Sequence, residues 1–405
     1  MGAKHSLAPI VAQIIKDLPS GPCLDLFAGM CSVAGALAET GREAWCNDIQ
    51  KYAAVVSGAL VASIESPITD GQASGKLLRA FKRNASSLNR RFDNQLKQEL
   101  FALKQESYLT YKKVADSWHH AGNDTNIANE ILVLQASPLF PYRLVTLTYS
   151  HGYFGLRQAI DIDSLRYAID YAHRHNDITN EQAQWCLAAL IETASKVCTA
   201  PGHFAQYLEV KNKSTYQHIR SQRRRQVWSV FMSSLKSMRP YGTKDWRSKN
   251  RTFCSDAMQL PYQLTDHENR PRIVYADPPY SEAQYSRYYH VLESLVEYDY
   301  PTIKSKGRYR EGRFTTPFSL ASSVGGAFVR LAERVSKLEA DLVVSYPSNG
   351  FLFQRGGNLS SILYDYYSRV NIIKINHKHS TLGGRHGPMT SDVEELIFIA
   401  RKPRH

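Results

Sequence analysis

Long apolar runs are missing from this chain of 405 residues. No stretch approaches the roughly 20 apolar residues that a membrane-spanning helix needs. Cysteine is scarce: there are six, Cys23, Cys31, Cys46, Cys186, Cys198 and Cys254, and no two share a CxxC spacing. That excludes a disulfide scaffold and a zinc ribbon, and favours reduced, buried thiols in a cytoplasmic protein. The amino-terminal stretch MGAKHSLAPIVAQIIKDLP interrupts its one apolar patch with Gln13 and Lys16 and lacks a cleavage pattern. It therefore reads as an amphipathic helix over residues 7–18 rather than a signal peptide. Gly2 with Ser6 has the spacing of a myristoylation signal, but Gly2 has a better use below. No internal repeat is present. The histidines of residues 377–390 (HKHSTLGGRHGPMT) fit no closed zinc pattern, so no metal is expected. The dinucleotide fingerprint GxGxxG is absent too, because Cys31 stands at its second glycine position and no third glycine follows in register.

What is present is ordinary for a globular protein: 43% apolar and 21% charged residues in a length that suits two or three domains. The net charge of +13 favours a polyanionic partner such as nucleic acid.

Residues 1–60 read helix, strand (22–27, PCLDLF), glycine turn, helix to Glu39, strand (44–47, AWCN) and helix. Gly41 suits a helix C-cap. Gly29 permits a tight turn and close approach by a ligand. Asp48 ends the second strand about 20 residues on, where an acid can accept ribose hydroxyls. Without the fingerprint a pyrophosphate is cradled poorly, so a nucleoside cofactor lacking phosphates fits better. Residues 61–249 turn polar and helical, with helices expected at 77–104 (interrupted near 84–89), 127–135, 163–173, 180–200 and 217–238. Two parts of this insertion suggest nucleic-acid contact. One is 149–157 (YSHGYFGLR), with Tyr153 and Arg157, for which a packed corner competes with a recognition loop. The other is the basic stretch 211–251, with Arg223, Arg224, Arg225 and Arg247, in which aromatics are interleaved.

From residue 250 the alternation of strands and helices returns. Asp256 follows a strand end at Cys254. Residues 273–280 read IVYADPPY, a β-branched strand ending in two prolines that cannot continue a ladder. The chain must leave the sheet there in a stiff loop carrying Asp277 and Tyr280. In open α/β sheets such strand ends are where ligands bind. A basic loop at 303–314 adds Lys304, Lys306, Arg308 and Arg310. Strands follow at 342–346, 370–375 and 395–400. The expectation is an α/β fold with one mostly parallel, doubly wound sheet over 1–60 and 250–405, carrying a mainly helical insertion domain at 61–249.

In this order the residues resemble the Dam-type DNA adenine methyltransferases: Gly2-Ala3-Lys4, Phe27-Ala28-Gly29, Asp48, the insertion, Asp256, then Asp277-Pro278-Pro279-Tyr280. The departure is Cys31, where the family often has glycine. The resemblance implies a Rossmann-like class I methyltransferase that uses S-adenosylmethionine. It implies cofactor contacts from Gly2, Lys4, Asp25, Phe27, Ala28, Gly29, Asp48 and Asp256, and catalysis by Asp277 to Tyr280. It implies double-stranded DNA as partner, with no membrane and no metal. The chemistry is consistent. Hydrogen bonds from an exocyclic amine to the Asp277 carboxylate and the Pro278 carbonyl localise its lone pair, and Tyr280 stacks on the flipped base. Cytosine N4, an RNA base, a protein glutamine, or an inactive DNA-binding relative are the competing readings. Aspartate rather than serine or asparagine at 277 favours adenine. No motif encodes the recognised DNA sequence or a companion nuclease.

Overall fold

The computed structural model describes residues 7–136, 139–265, 270–380 and 390–402. The chain forms two compact units. The first comprises Met1–Ile64, Pro240–Tyr285 and Phe314–His405; the second comprises Glu65–Arg239 and Ser286–Arg313. The sequence reading placed 286–313 with the sheet, whereas this segment belongs to the helical unit.

The first unit is built on a seven-stranded sheet. Its strands are β1 (Cys23–Asp25), β2 (Ala44–Asn47), β3 (Arg251–Phe253), β4 (Ile273–Ala276), and three from the carboxyl-terminal third. Two short strands, β5 (Ile303–Lys304) and β6 (Tyr309–Arg310), pair antiparallel as a separate ribbon in the second unit. They occupy the stretch expected to be a basic loop. The last three strands are β7 (Asp341–Pro347), β8 (Arg369–Ser380) and β9 (Thr390–Arg401). Their order in the sheet is β3-β2-β1-β4-β7-β9-β8. The pairings from β3 to β7 are parallel, and β9 runs antiparallel between β7 and β8. This is a Rossmann-like architecture: a mostly parallel α/β sheet closed by one reversed strand.

Strands this short stay in the sheet because both faces are covered, so β1, β2 and β4 are buried at every position. Side chains alternate between the faces. Leu24, Val274, Ala276, Leu342 and Val344 pack against Phe328, Leu331 and Val335 of the helix Val324–Lys337. By the same alternation Cys23, Asp25 and Tyr275 belong to the opposite face. All six cysteines are free thiols; burial pushes that of Cys23 upward, and a hydrogen bond with Cys31 together with burial raises that of Cys46. Gly41 closes the helix Ser32–Thr40 with a φ of 73°, as expected.

The second unit is mainly helical. The long helix expected at 77–104 divides at Phe92, into Asp70–Arg91 and Asp93–Lys104, rather than near 84–89. A capping box from Thr69 and Gln72 starts the first of these. Asp124 starts the helix Thr125–Ala136 by accepting from the amides of Asn126 and Ile127 at 2.9 and 3.1 Å. Among the described residues no helix is long and apolar enough to cross a membrane.

Candidate functional site

Parallel pairing aligns the carboxyl ends of four neighbouring strands along one edge of the sheet. In the order β3-β2-β1-β4 these ends lead into Asp256, Asp48, Phe27-Ala28-Gly29, and Asp277-Pro278-Pro279-Tyr280. Neighbouring strands lie about 4.8 Å apart, so residues scattered from 25 to 280 converge on one short rim.

The glycine turn is fixed from three sides. Asp25, buried at the end of β1, accepts the amide of Phe27 through Oδ1 at 3.0 Å. The amide of Ala28 donates to the carbonyl of Asn47 at 2.9 Å. The amide of Gly29 donates to Oδ2 of Asp48 at 3.0 Å. Gly29 has a φ of 49°, and a Cβ added there would meet nothing within 4 Å. The turn thus has open space above it where a ligand can approach the backbone. Cys31 follows with a φ of 62°, in the left-handed region that favours glycine. The residue that departs from the family pattern therefore sits where a side chain strains the backbone by about 1 kcal/mol. Its side chain is fully buried. Phe27 is half-buried, meets Phe318 edge-on at 5.7 Å, and packs on the core.

Asp48 is more than a lone carboxylate. Its Oδ1 accepts the amide of Gln50 at 2.9 Å while Oδ2 holds Gly29. Burial raises its pKa to about 6, against the opposing pull of the amides of Gln50, Gly29 and Ile49. Asp256 accepts the amide of Met258 through Oδ1 at 2.6 Å, and its carbonyl accepts those of Gln259 and Leu260. It therefore caps the turn into the helix Leu260–Gln263. A carboxylate holding one such bond keeps acceptor capacity for an amine.

The stiff loop after β4 is held from the next strand. The carbonyl of Tyr280 accepts the amide of Phe351 at 2.9 Å, and the Tyr346 hydroxyl accepts that of Leu352 at 3.1 Å. Pro278 is buried, Asp277 and Tyr280 are half-buried, and Tyr280 lies against the core. Two residues absent from the sequence reading shape this edge. Tyr346 anchors the loop after β7. Asn47 bonds across three strand ends and is treated below. Its signal was an asparagine closing an otherwise apolar strand, a poor choice for a sheet unless its amide is used.

Gly2 and Lys4 lie outside the described residues, as does part of the 377–390 loop. A cavity of about 560 Å³ opens at the opposite edge of the sheet, where the strands begin. Part of its polar lining is engaged. Arg251 stacks over Trp45, Trp45 donates to Glu43, and Arg270 lies 3.8 Å from Glu339.

The expected DNA-contacting residues are corrected in part. Tyr153 is wholly buried, and its hydroxyl, with one proton to donate, lies 2.6 and 2.9 Å from the carbonyls of Phe204 and Gly307. Arg223 is buried and donates to the carbonyls of Gly152 and Tyr153 at 2.8 and 3.0 Å, and to the Tyr111 hydroxyl at 3.1 Å. Residues 149–157 are thus a packed corner whose carbonyls, lacking a ladder, are satisfied by a guanidinium. Arg308 does the same for Thr148 and Ser150 at 2.8 and 2.7 Å. Arg247, in the first unit, donates to the carbonyls of Ser63 and Gly242 at 2.6 and 2.9 Å. Arg310 pairs with Glu297 and Asp299. None of these five presents a free cation to a phosphate. Arg157, Arg224 and Arg225 are exposed, and so are Lys304 and Lys306, which pair with Glu311 and Glu209.

No family model matches the chain. It is similar to Modification methylase LlaI of Lactococcus lactis subsp. lactis, 23% identical over 354 residues, covering 87% of this chain and 46% of that protein. It is also similar to Type II methyltransferase M.FokI of Planomicrobium okeanokoites, 26% identical over 62% of this chain and 35% of that protein. Type II methyltransferase M.CviAII of Paramecium bursaria Chlorella virus 1 is 25% identical over 63% of this chain and 69% of that protein. The chain spans less than half the length of the first two. The first carries the name of a modification methylase and the other two those of type II methyltransferases, and together they support a DNA methyltransferase family for the chain.

Proposed function

We propose that the chain is a Dam-type DNA methyltransferase that uses S-adenosylmethionine to methylate the exocyclic N6 of an adenine flipped out of duplex DNA. The observation that carries this reading is the single sheet edge on which Asp256, Asp48, the Phe27–Gly29 turn and Asp277–Tyr280 follow one another on adjacent parallel strands. The residues fit the cofactor. Open space lies above Gly29, and in this reading Asp48 takes the ribose hydroxyls and Asp256 the adenine amine. When bound, the cofactor supplies an electrophilic methyl on a sulfonium. Gly2 and Lys4 are assigned to the same site by resemblance.

The chain's own work is on the acceptor amine. Its lone pair is delocalised into the ring, so it is a weak nucleophile. The Asp277 carboxylate and the Pro278 carbonyl each accept one of its N–H bonds, which favours a pyramidal nitrogen and strengthens as positive charge develops. The neutral amine is too weak an acid to be stripped first, so Asp277 acts as an acceptor before transfer and takes the proton after it. Tyr280 stacks on the base, worth about 1–3 kcal/mol, which offsets part of the cost of flipping. Exposed Arg157, Arg224, Arg225, Lys304 and Lys306 are the candidates for phosphate contacts.

Incubation with methyl-labelled cofactor and duplex DNA, followed by nucleoside mass spectrometry, tests the reading. Label in N6-methyladenine is expected. Label in N4-methylcytosine, RNA or protein overturns the acceptor, and no transfer at all overturns the enzyme.

Asp48 gives a pH dependence of known sign. Its folded pKa is raised to about 6. Its contribution to stability is therefore full below its unfolded value of about 3.9 and lost as pH rises through 6. Cofactor binding runs the other way, because ribose hydroxyls donate best to the ionised form. Cofactor affinity is expected to fall up to about tenfold per pH unit below 6 and to level off above it. Titration calorimetry from pH 5 to 8 measures this, and a flat profile removes Asp48 from the ribose site.

A further inference from the structure

At the rim of the first unit, one buried amide joins three strand ends. Asn47 closes β2 and is 1% exposed. Its Nδ2 donates to the carbonyl of Leu26, after β1, at 3.1 Å and to that of Ser255, after β3, at 3.0 Å. Its Oδ1 accepts the amide of Ser255 at 3.1 Å. The orientation of the amide is set by these partners, since the Ser255 N–H only donates and the two carbonyls only accept. The Asn47 carbonyl also takes the amide of Ala28. One residue thus ties the segment entering the glycine turn to the segment entering Asp256, and the neighbouring Asp48 holds Gly29.

We infer that Asn47 is a positioning residue for the cofactor. Its amide sets the spacing between the Phe27–Gly29 turn and Asp256, so that cofactor affinity depends on a side chain assigned no contact with the cofactor. This rests on the function proposed above. No other side chain of this size donates twice and accepts at once. Aspartate at 47 keeps the acceptor for Ser255, loses both donors, and sets negative charge against two carbonyls. A matched control stands just before β3, bonded to the other end of β2. Asn250, also buried, accepts the amide of Ala44 at 2.9 Å and donates to the carbonyl of Val61 at 2.9 Å, at the edge away from the site.

The test compares the full chain with Asn47→Asp and Asn250→Asp. The readouts are S-adenosylmethionine dissociation constant by calorimetry, melting temperature, and kcat at saturating cofactor. We expect Asn47→Asp to weaken cofactor binding at least about tenfold while kcat at saturation stays within a few-fold. Asn250→Asp is expected to lower the melting temperature while leaving the dissociation constant within about twofold of the unmodified chain. Asn47→Ser, which adds no charge, carries the comparison if the aspartate variant does not fold. An unchanged dissociation constant in a folded Asn47 variant overturns the inference alone, as does an equal weakening in Asn250→Asp. Absence of cofactor binding by the unmodified chain overturns the functional reading and the inference with it.

Discussion

Replacing Asp277 with alanine is expected to cut methyl transfer on the order of a thousandfold or more while cofactor affinity stays within a few-fold. Removing one preorganised group aimed at developing charge commonly costs a factor of about 10²–10³, and Asp277 carries a full charge. Its loop has backbone restraints apart from the carboxylate. Two prolines fix the backbone, Pro278 is buried, and the Tyr280 carbonyl remains bonded to the amide of Phe351. The substitution removes an acceptor while these backbone restraints remain. Asp277→Asn, which keeps an acceptor oxygen but loses the charge, is expected to fall between the two. Single-turnover rates on duplex DNA with saturating cofactor separate these outcomes. A rate within tenfold of the unmodified enzyme would show that the acceptor amine is held elsewhere.

Arg223 and Arg224 are adjacent, and their substitution by alanine is expected to have opposite kinds of effect. Arg223→Ala removes a guanidinium that donates to the carbonyls of Gly152 and Tyr153 and to the hydroxyls of Tyr111 and Thr199 in a buried corner, while Thr199 still donates to both carbonyls. Hydrogen bonds to a charged group contribute roughly 1.5–3 kcal/mol, with incomplete additivity, so a loss of about 2–3 kcal/mol is expected. That is a large part of the stability of an ordinary domain. Arg224 is exposed, and Arg224→Ala is expected to change stability by less than about 0.5 kcal/mol while lowering DNA affinity. Urea midpoints for the two variants, with DNA binding measured beside them, decide the matter. Equal midpoints would mean that the corner does not depend on the guanidinium.

The contrast shows what was legible in the sequence. The rim was legible because strands buried on both faces are short apolar runs, and each ends abruptly in an acid, a glycine or a proline pair. Asp48, Gly29 and Asp277 were visible as the residues that end the runs. Arg223, Arg247 and Arg308 were misread because charge and spacing alone do not distinguish a cation facing solvent from one satisfying a corner's carbonyls. The helix expected at 217–238 divides into Lys213–Arg223 and Val227–Ser237 without a glycine or proline. Its break is made by a distant side chain: Gln158 donates to the carbonyls of Gln222 and Arg225 at 2.8 and 3.2 Å. Such tertiary capping leaves no local mark. Neither did the assignment of 286–313 to the helical unit, since no composition shift marks residue 286.

The interleaving of the two units has a consequence for how the chain assembles. The chain crosses between them after residues 64, 239, 285 and 313. The bond from Asn47 to Ser255 closes over 208 positions, so the rim is not finished until the insertion's first segment has been made. The helical unit waits for 286–313, and the sheet waits for β9, the last strand in sequence yet an interior one in space. Neither unit is completed before the other has begun. Non-local closure of this kind slows folding and prolongs exposure of unpaired edges. On a ribosome the early strands β1 and β2 therefore wait through most of translation for their outer neighbours, β4 and β3.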